Sequence, residues 1–121
     1  MGAGTYVPDR ADIIWIHHDP QKGIEMKGMH PMLVLSPKTF NERTGIVIGF
    51  PMTHAQTNDE NPFAVKIEGP KSEAAYILCH QPKSFDWRER GAKPHPWKQA
   101  PARIVRRALD ELDLILAVSS P

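Results

Sequence analysis

The chain has 121 residues, a formal net charge of +1, 40% hydrophobic and 24% charged residues, and a single cysteine, Cys79. This length predicts one domain, residues 1–121, with a single core. The balanced charge excludes a strong overall positive potential that would attract nucleic acid. No apolar run is long enough to span a bilayer, and a single cysteine cannot form an intrachain disulfide. We therefore expect a soluble, cytoplasmic protein without a membrane partner, in agreement with the lack of signal-peptide character at residues 1–5.

Twelve prolines and eight glycines divide the chain into short segments, which favours strands and turns over long helices. Five apolar strands are predicted at 12–16, 32–35, 46–50, 64–67 and 74–79, and a sixth, proline-containing edge segment at 92–95. A helical turn or two is expected at 37–43. From residue 101 apolar residues recur every three or four positions, which predicts an amphipathic C-terminal helix. This order predicts a mainly β protein with some α: a small, curved antiparallel barrel of five to six strands with short helices, capped by the C-terminal helix.

The loop between the first two predicted strands, residues 17–30, is unusually rich in ionisable groups: His17, His18, Asp19, Lys22, Glu25, Lys27 and His30. A charged loop held by a rigid strand pair is a common place for a functional site. The adjacent histidines are a poor metal site, because neighbouring residues on a strand point to opposite faces. We therefore predict neither a metal nor another cofactor.

The segment 80–98 interleaves basic residues with Phe85, Trp87 and Trp97. Basic side chains can follow phosphates while aromatic rings stack on bases, so this composition is typical of a groove for single-stranded nucleic acid. The alternative is a solvated surface whose aromatic rings belong to the core. On the C-terminal helix, basic and acidic residues alternate, which favours a solvated face with ion pairs over an RNA patch.

Several motifs in order along the chain carry a resemblance to a known family: Y-V-P-D-x-x-D-I-I-W at 6–15, D-P-x-K-G at 19–23, P-M-L-V-L-S-P at 31–37 and Q-P-K-S-F-D-W-R-E-R at 81–90. With these motifs the chain resembles the MazF/PemK family of toxin endoribonucleases. The resemblance implies an SH3-like β-barrel and a homodimer. It also implies metal-independent cleavage of single-stranded RNA at short sequences, giving a 2′,3′-cyclic phosphate and a 5′-hydroxyl, and neutralisation by a cognate antitoxin.

The resemblance also implies roles for single residues. Glu25 matches a loop glutamate that acts in proton transfer, and Thr53 matches a threonine that contacts the scissile phosphate. The chain departs from the family at three positions: Met26 stands where typical members have a glutamine, His30 stands where the family has its catalytic arginine, and His80 stands where many members have an aspartate. We therefore hypothesise an acid/base pair of His30 and His80, which completes a predicted catalytic set of Glu25, His30, Thr53 and His80.

Further residues of the loop and of the basic segment are expected to bind RNA: His17, Lys22, Lys27, Lys83, Arg88 and Arg90. His17 is predicted to be exposed or to border the groove, and His18 to pack where family members carry an apolar residue. A different function stays open, because histidine is not a permanent cation as arginine is. In that alternative the chain is a weakened or inactive relative that binds RNA or protein, such as an antitoxin-binding protein or a toxin with a protein target like CcdB.

Overall fold

The computed structural model describes residues 5–19 and 28–117. In chain order its elements are β1 Asp12–His17, β2 Met29–Val34, α1 Lys38–Thr44, β3 Ile46–Thr53, a 3-10 turn Gln56–Glu60, β4 Ala64–Glu68, β5 Ala74–Leu78, β6 Lys83–Asp86, β7 Lys93–Gln99 and α2 Ala102–Leu116. This part of the chain is mainly β with two α-helices, as predicted from the sequence. No helix within the described residues is long and apolar enough to cross a bilayer.

The strands form one curled antiparallel sheet in the order β4-β5-β3-β2-β1-β7, with β6 pairing to the first half of β3. The long strand β3 pairs with β2 along one edge and with β6 and then β5 along the other. β2 and β3 lie so close at Gly49 that a Cβ atom there would stand 2.0 Å from the Leu33 carbonyl oxygen. Glycine at this position therefore permits the pairing at the centre of the sheet.

One face of the sheet packs against α2. Ile104, Val105 and Ala108 of the helix are buried in a cluster with strand residues such as Phe50 and Ile77. The polar face of the helix carries two ion pairs, between Arg106 and Asp110 at 3.1 Å and between Arg107 and Glu111 at 3.6 Å. This arrangement confirms the predicted amphipathic helix, which seals this side of the core.

The opposite face holds a second apolar cluster. It comprises Ile14, Ile16, Met32, Val34, Val47, Phe85 and Trp87. The Trp87 indole Nε1 donates a 2.7 Å hydrogen bond to the Asn41 carbonyl and so ties this cluster to α1. The aromatic residues Phe85 and Trp87 are therefore part of the core, in agreement with the alternative that the aromatic rings of segment 80–98 pack inside the protein.

The half-barrel closes through side chains between its two edge regions. Trp97 of β7 donates from Nε1 to Glu73 Oε1 at 3.2 Å, beside the β4–β5 turn. Its indole lies over Gly69, where a Cβ atom would stand 2.3 Å from the ring. A side chain at residue 69 would therefore push the turn away from β7 and open the barrel.

Seven strands are present within residues 5–19 and 28–117, one more than the largest number predicted. The additional strand is β6, in which only Phe85 is buried, so its sequence has no apolar run. The predicted edge segment is present as β7, which is longer than expected and pairs with β1 at the end of the sheet. This position suits the two prolines of β7, because proline lacks a backbone N–H donor and an edge strand has one side on which no ladder hydrogen bond is needed.

Candidate functional site

Polar side chains on four adjacent strands lie in one row across the sheet. The β2–β3 ladder ends at the pair of Met32 and Pro51, and by the alternation of each strand His30 and Thr53, two residues further on, point to the same face of the sheet as this pair. Thr53 pairs with Tyr76 of β5, and Tyr76 pairs with Lys66 of β4. Because directly opposite residues of antiparallel strands point to the same face, these four side chains share one side of the sheet. It is the side opposite to α2, where no α-helix among the described residues covers the row; Tyr76 within the row is nevertheless only 2% exposed.

The β5 end of this row is fixed by a phenol and a carboxylate. The Tyr76 hydroxyl donates to Asp59 of the 3-10 turn, and Lys66 Nζ lies 3.8 Å from the same carboxylate and 6.0 Å from the Tyr76 ring centroid. The hydrogen bond to Asp59 raises the pKa of Tyr76, with burial and the negative charge of Asp59 adding to the effect. These contacts hold the 3-10 turn against the row. Tyr76 was not predicted as a site residue, because the other residues of its strand, Ala74–Leu78, are apolar.

The β2 end of the row continues into an imidazole pair. The ring of His18 lies 5.4 Å from the ring of His30 and 5.1 Å from the ring of Phe85, measured between centroids. His18 is half-buried and its Nε2 has no hydrogen-bond partner in the described part of the chain, whereas His30 is exposed. His18 thus packs on an apolar neighbour, as predicted.

The environment of His18 opposes its protonation. Burial lowers its pKa to about 4, and positive charge on His30, Lys83 and Arg90 adds to this shift, while Asp19 acts in the opposite direction. His18 is therefore a neutral imidazole at neutral pH. The same interactions show that Lys83, on β6, belongs to the cationic environment of this pair.

Arg90 organises the end of β1, where the charged loop begins. Its Nη1 donates to the carbonyl oxygens of His17 at 3.2 Å, His18 at 2.7 Å and Asp19 at 3.1 Å. Its guanidinium lies 4.4 Å from the Phe85 ring centroid. Arg90 was predicted to bind RNA; the contacts observed here give it a role in positioning the strand end.

Arg88 lies elsewhere. Its Nη2 donates to the Glu42 carbonyl at 3.0 Å and its guanidinium lies 4.5 Å from the Trp87 ring, next to α1. Arg88 thus lies near Ile46, the first residue of β3, whereas Thr53 is the last residue of that strand. At roughly 3.3 Å per strand residue the two ends are about 20 Å apart. Arg88 therefore does not supply positive charge beside His30.

His17 was predicted to be exposed or to border the groove, and this prediction is wrong. The side chain is 2% exposed, and neither ring nitrogen has a hydrogen-bond partner among residues 5–19 and 28–117. The reason is the alternation of β1, since Ile16 faces the second cluster and His17 points to the other side of the sheet, opposite Met29 in the register. A buried His17 is not available to bind RNA in this conformation.

The predicted pairing of His80 with His30 is also not observed. His80 is exposed after β5, with its ring 6.0 Å from Phe63 and its Nε2 3.1 Å from the Gln81 amide nitrogen. Strand β3 lies between β5 and β2, so the strands that carry the two histidines are not neighbours. The imidazole beside His30 is His18, which the sequence analysis treated as a packing residue.

Three predicted site residues, Lys22, Glu25 and Lys27, lie outside the described residues. Within the described ranges no group of three or more His, Cys, Asp or Glu side chains could hold a metal ion. Cys79 is buried and burial raises the pKa of its thiol to about 12, so it is an apolar packing residue rather than a nucleophile.

Comparison with known proteins gives the family. Residues 9–116 match the family described as PemK-like, MazF-like toxin of type II toxin-antitoxin system. The chain is 41% identical over 87 residues to the endoribonuclease toxin MazF of Escherichia coli strain K12, covering 72% of this chain and 76% of the relative. The crystal structure of MazF from Deinococcus radiodurans superposes with a TM-score of 0.78 at 32% identity, covering 93% of this chain and 99% of that one. The MazE-MazF structure from the same organism gives a TM-score of 0.77 at 29% identity, covering 92% and 96%. The chain therefore belongs to the PemK/MazF family of toxins of type II toxin–antitoxin systems.

Proposed function

We propose that this chain is an endoribonuclease toxin that cleaves single-stranded RNA at specific short sequences without a metal. In this reaction the 2′-hydroxyl attacks the adjacent phosphorus, the P–O5′ bond breaks, and the products carry a 2′,3′-cyclic phosphate and a 5′-hydroxyl. The observation that carries the proposal is that the exposed His30 and the half-buried Thr53 share one face of the sheet, with Lys83 and Arg90 supplying positive charge beside His18 and His30, in a chain whose relative is named an endoribonuclease.

Thr53 is suited to contact the scissile phosphate. Its Oγ1 accepts a 3.2 Å hydrogen bond from the Ala55 backbone N–H. This bond occupies an acceptor position of the hydroxyl and leaves its proton available for a non-bridging phosphate oxygen. Thr53 would then stabilise the charge that develops on the phosphorane without bringing a charge of its own.

His30 would supply the positive charge or the proton. An imidazolium can donate a hydrogen bond to the phosphorane or protonate the departing 5′-oxygen, as a general acid does. Glu25 would take the proton of the 2′-hydroxyl, and Lys22, Lys27 and Lys83 would contact the RNA backbone. His80 would act on the RNA independently of His30, because β3 separates the strands that carry them.

We further propose that the chain works as a homodimer and that a small antitoxin neutralises it. The MazE-MazF structure of the similar Deinococcus protein, which spans nearly the same length as this chain, supports the antitoxin partner, whereas the homodimer is what the family resemblance implies.

The test is cleavage of a long single-stranded RNA in EDTA, followed by mapping of the new 5′ ends. We expect discrete cuts that persist with the chelator. The new 5′ ends should be phosphorylated directly by a polynucleotide kinase, because this enzyme acts on 5′-hydroxyl ends. Thr53→Val should reduce the rate about 100-fold because it removes one donor to the phosphate. Thr39→Val, on the exposed surface of α1, is the matched control and should leave the rate unchanged.

A second candidate function is an RNA-binding relative that has lost catalysis. The observation that favours it is His30, since the family has a permanent cation at this position. Retained RNA binding without any cut in the same assay would select this function and contradict the enzyme.

A further inference from the structure

We propose that His18 is a positioning residue for His30: its ring, supported by Phe85, fixes the orientation of the His30 imidazole on the face of the sheet that also carries Thr53. This inference rests on the proposed function for its catalytic consequence, but the placement of the His30 ring can be measured independently of RNA cleavage.

Four planar groups form a continuous series of contacts that ends at His30. The Arg90 guanidinium lies 4.4 Å from the Phe85 ring, Phe85 lies 5.1 Å from His18 with the rings tilted by 51°, and His18 lies 5.4 Å from His30 with a tilt of 57°. Arg90 is itself held by three backbone carbonyls at the end of β1. One end of the series is therefore anchored to the backbone, and its other end is the exposed ring of His30.

Within the described part of the chain, His18 makes the one ring contact of the His30 side chain, and no hydrogen bond holds the His30 imidazole. An exposed histidine without such a neighbour samples several rotamers. Catalysis by His30 depends on one orientation, because a displacement of about 1 Å at a reacting group can cost up to about 100-fold in rate. The contact with His18 is thus the feature that can select the productive rotamer.

The charges around His18 and His30 keep the two rings from being positively charged at the same time. The groups that act on His18 are His30 from β2, Lys83 from β6, and Arg90 and Asp19 from the segments that follow β6 and β1. The cations and the burial of the ring outweigh Asp19, so His18 stays neutral when His30 takes up a proton. Two imidazolium rings at this distance would repel each other, and the neutral state of His18 avoids this.

The imidazole is retained at a cost in stability. Its Nε2 is buried without a hydrogen-bond partner among the described residues, which destabilises the folded chain. A phenyl ring would fill the same space without this cost and would keep the tilted ring contact with His30. Phenylalanine is therefore the conservative replacement, and leucine is the replacement that keeps apolar volume but removes the plane.

The experiment compares His18→Phe, His18→Leu and His18→Ala with the wild-type chain. The first readout is the ¹H–¹³C NMR signal of the His30 ring, assigned with His30→Ala, and the second is kcat and KM for RNA cleavage. We expect His18→Phe to keep a shifted His30 ring signal and kcat within about twofold of wild type. In His18→Leu and His18→Ala the signal should move to the value of a freely rotating histidine, and kcat should fall about tenfold with little change in KM.

His54→Ala is the control, since His54 is an exposed histidine that packs on Trp97 outside the proposed machinery. An unchanged His30 signal in His18→Leu would overturn the inference. A rise in KM at constant kcat would also overturn it, because His18 would then contact RNA directly. If the wild-type chain cuts no RNA, the proposed function fails, and the NMR comparison still decides whether His18 positions His30.

Discussion

The two faces of the curled sheet differ in what lies over them. One face is mainly apolar, and the helix α2 covers it with Ile104, Val105 and Ala108. The other begins as an apolar cluster around Trp87 and Val47 and ends in the polar row, which no α-helix covers among the described residues. We therefore expect the covered face to determine stability and the open face to carry the candidate site.

The largest expected effect is on the covered face. Phe50 is fully buried in the cluster beneath α2. Phe50→Ala should lower the free energy of unfolding by about 3–5 kcal/mol, because it leaves a cavity that the sheet and the helix cannot fill. Urea denaturation followed by circular dichroism measures this loss, and a loss below about 1 kcal/mol would contradict the division of roles.

On the open face, substitution should change activity and spare stability. His30→Ala should reduce RNA cleavage about 100-fold, since it removes the proposed proton donor. The free energy of unfolding should stay within about 0.5 kcal/mol of wild type, because the His30 side chain is exposed. Equal losses of stability and activity would show that the row is structural instead.

The lowered pKa of His18 should make the free energy of unfolding depend on pH. Its pKa of about 4 is below the value of about 6.5 for a histidine in an unfolded chain. Between these values the unfolded chain binds a proton that the folded chain does not, so the free energy of unfolding decreases as the pH falls through this range. Burial also lowers the pKa of His95, which contributes with the same sign.

His18→Phe should therefore lose less stability between about pH 6.5 and about pH 4 than the wild-type chain, by about 1–2 kcal/mol after solvent screening of a half-buried group. His95 is present in both proteins and cancels from the comparison. Parallel pH curves for the two proteins would contradict a neutral His18.

The smallest effect is expected at the β5 end of the row. Tyr76→Phe removes the hydrogen bond to Asp59 and should cost about 1 kcal/mol. The loss should be local, so that hydrogen exchange quickens in the 3-10 turn Gln56–Glu60 while α2 keeps its protection. Uniform acceleration across α2 would show that Tyr76 supports the whole fold.

The sequence predicted the features that depend on local pattern. The periodicity of the C-terminal segment predicted α2, and apolar runs predicted five of the strands. Strand β6 was missed because its single buried residue, Phe85, leaves no run to detect. His17 was predicted to be exposed because the alternation of a strand shows that adjacent side chains point to opposite faces of the sheet, but it does not show which of the two faces is covered.

The candidate site was less predictable because it depends on long-range register. The family resemblance selected His30 and Thr53, yet only the pairing of β2, β3 and β5 brings them into one row with Tyr76. The contact of His18 with His30 likewise depends on where β6 places Phe85. No periodicity within one segment of the chain contains this information.

The most direct measurement is the rate of single-turnover RNA cleavage by wild-type protein and by His30→Arg between about pH 6 and about pH 9. If His30 acts as the cation of the open face, the wild-type rate should fall about tenfold per pH unit on the alkaline side, whereas arginine keeps its charge and the variant's rate should not show this fall. The same alkaline decline in both proteins, or no dependence on residue 30 at all, would contradict the assignment of the catalytic charge to this row.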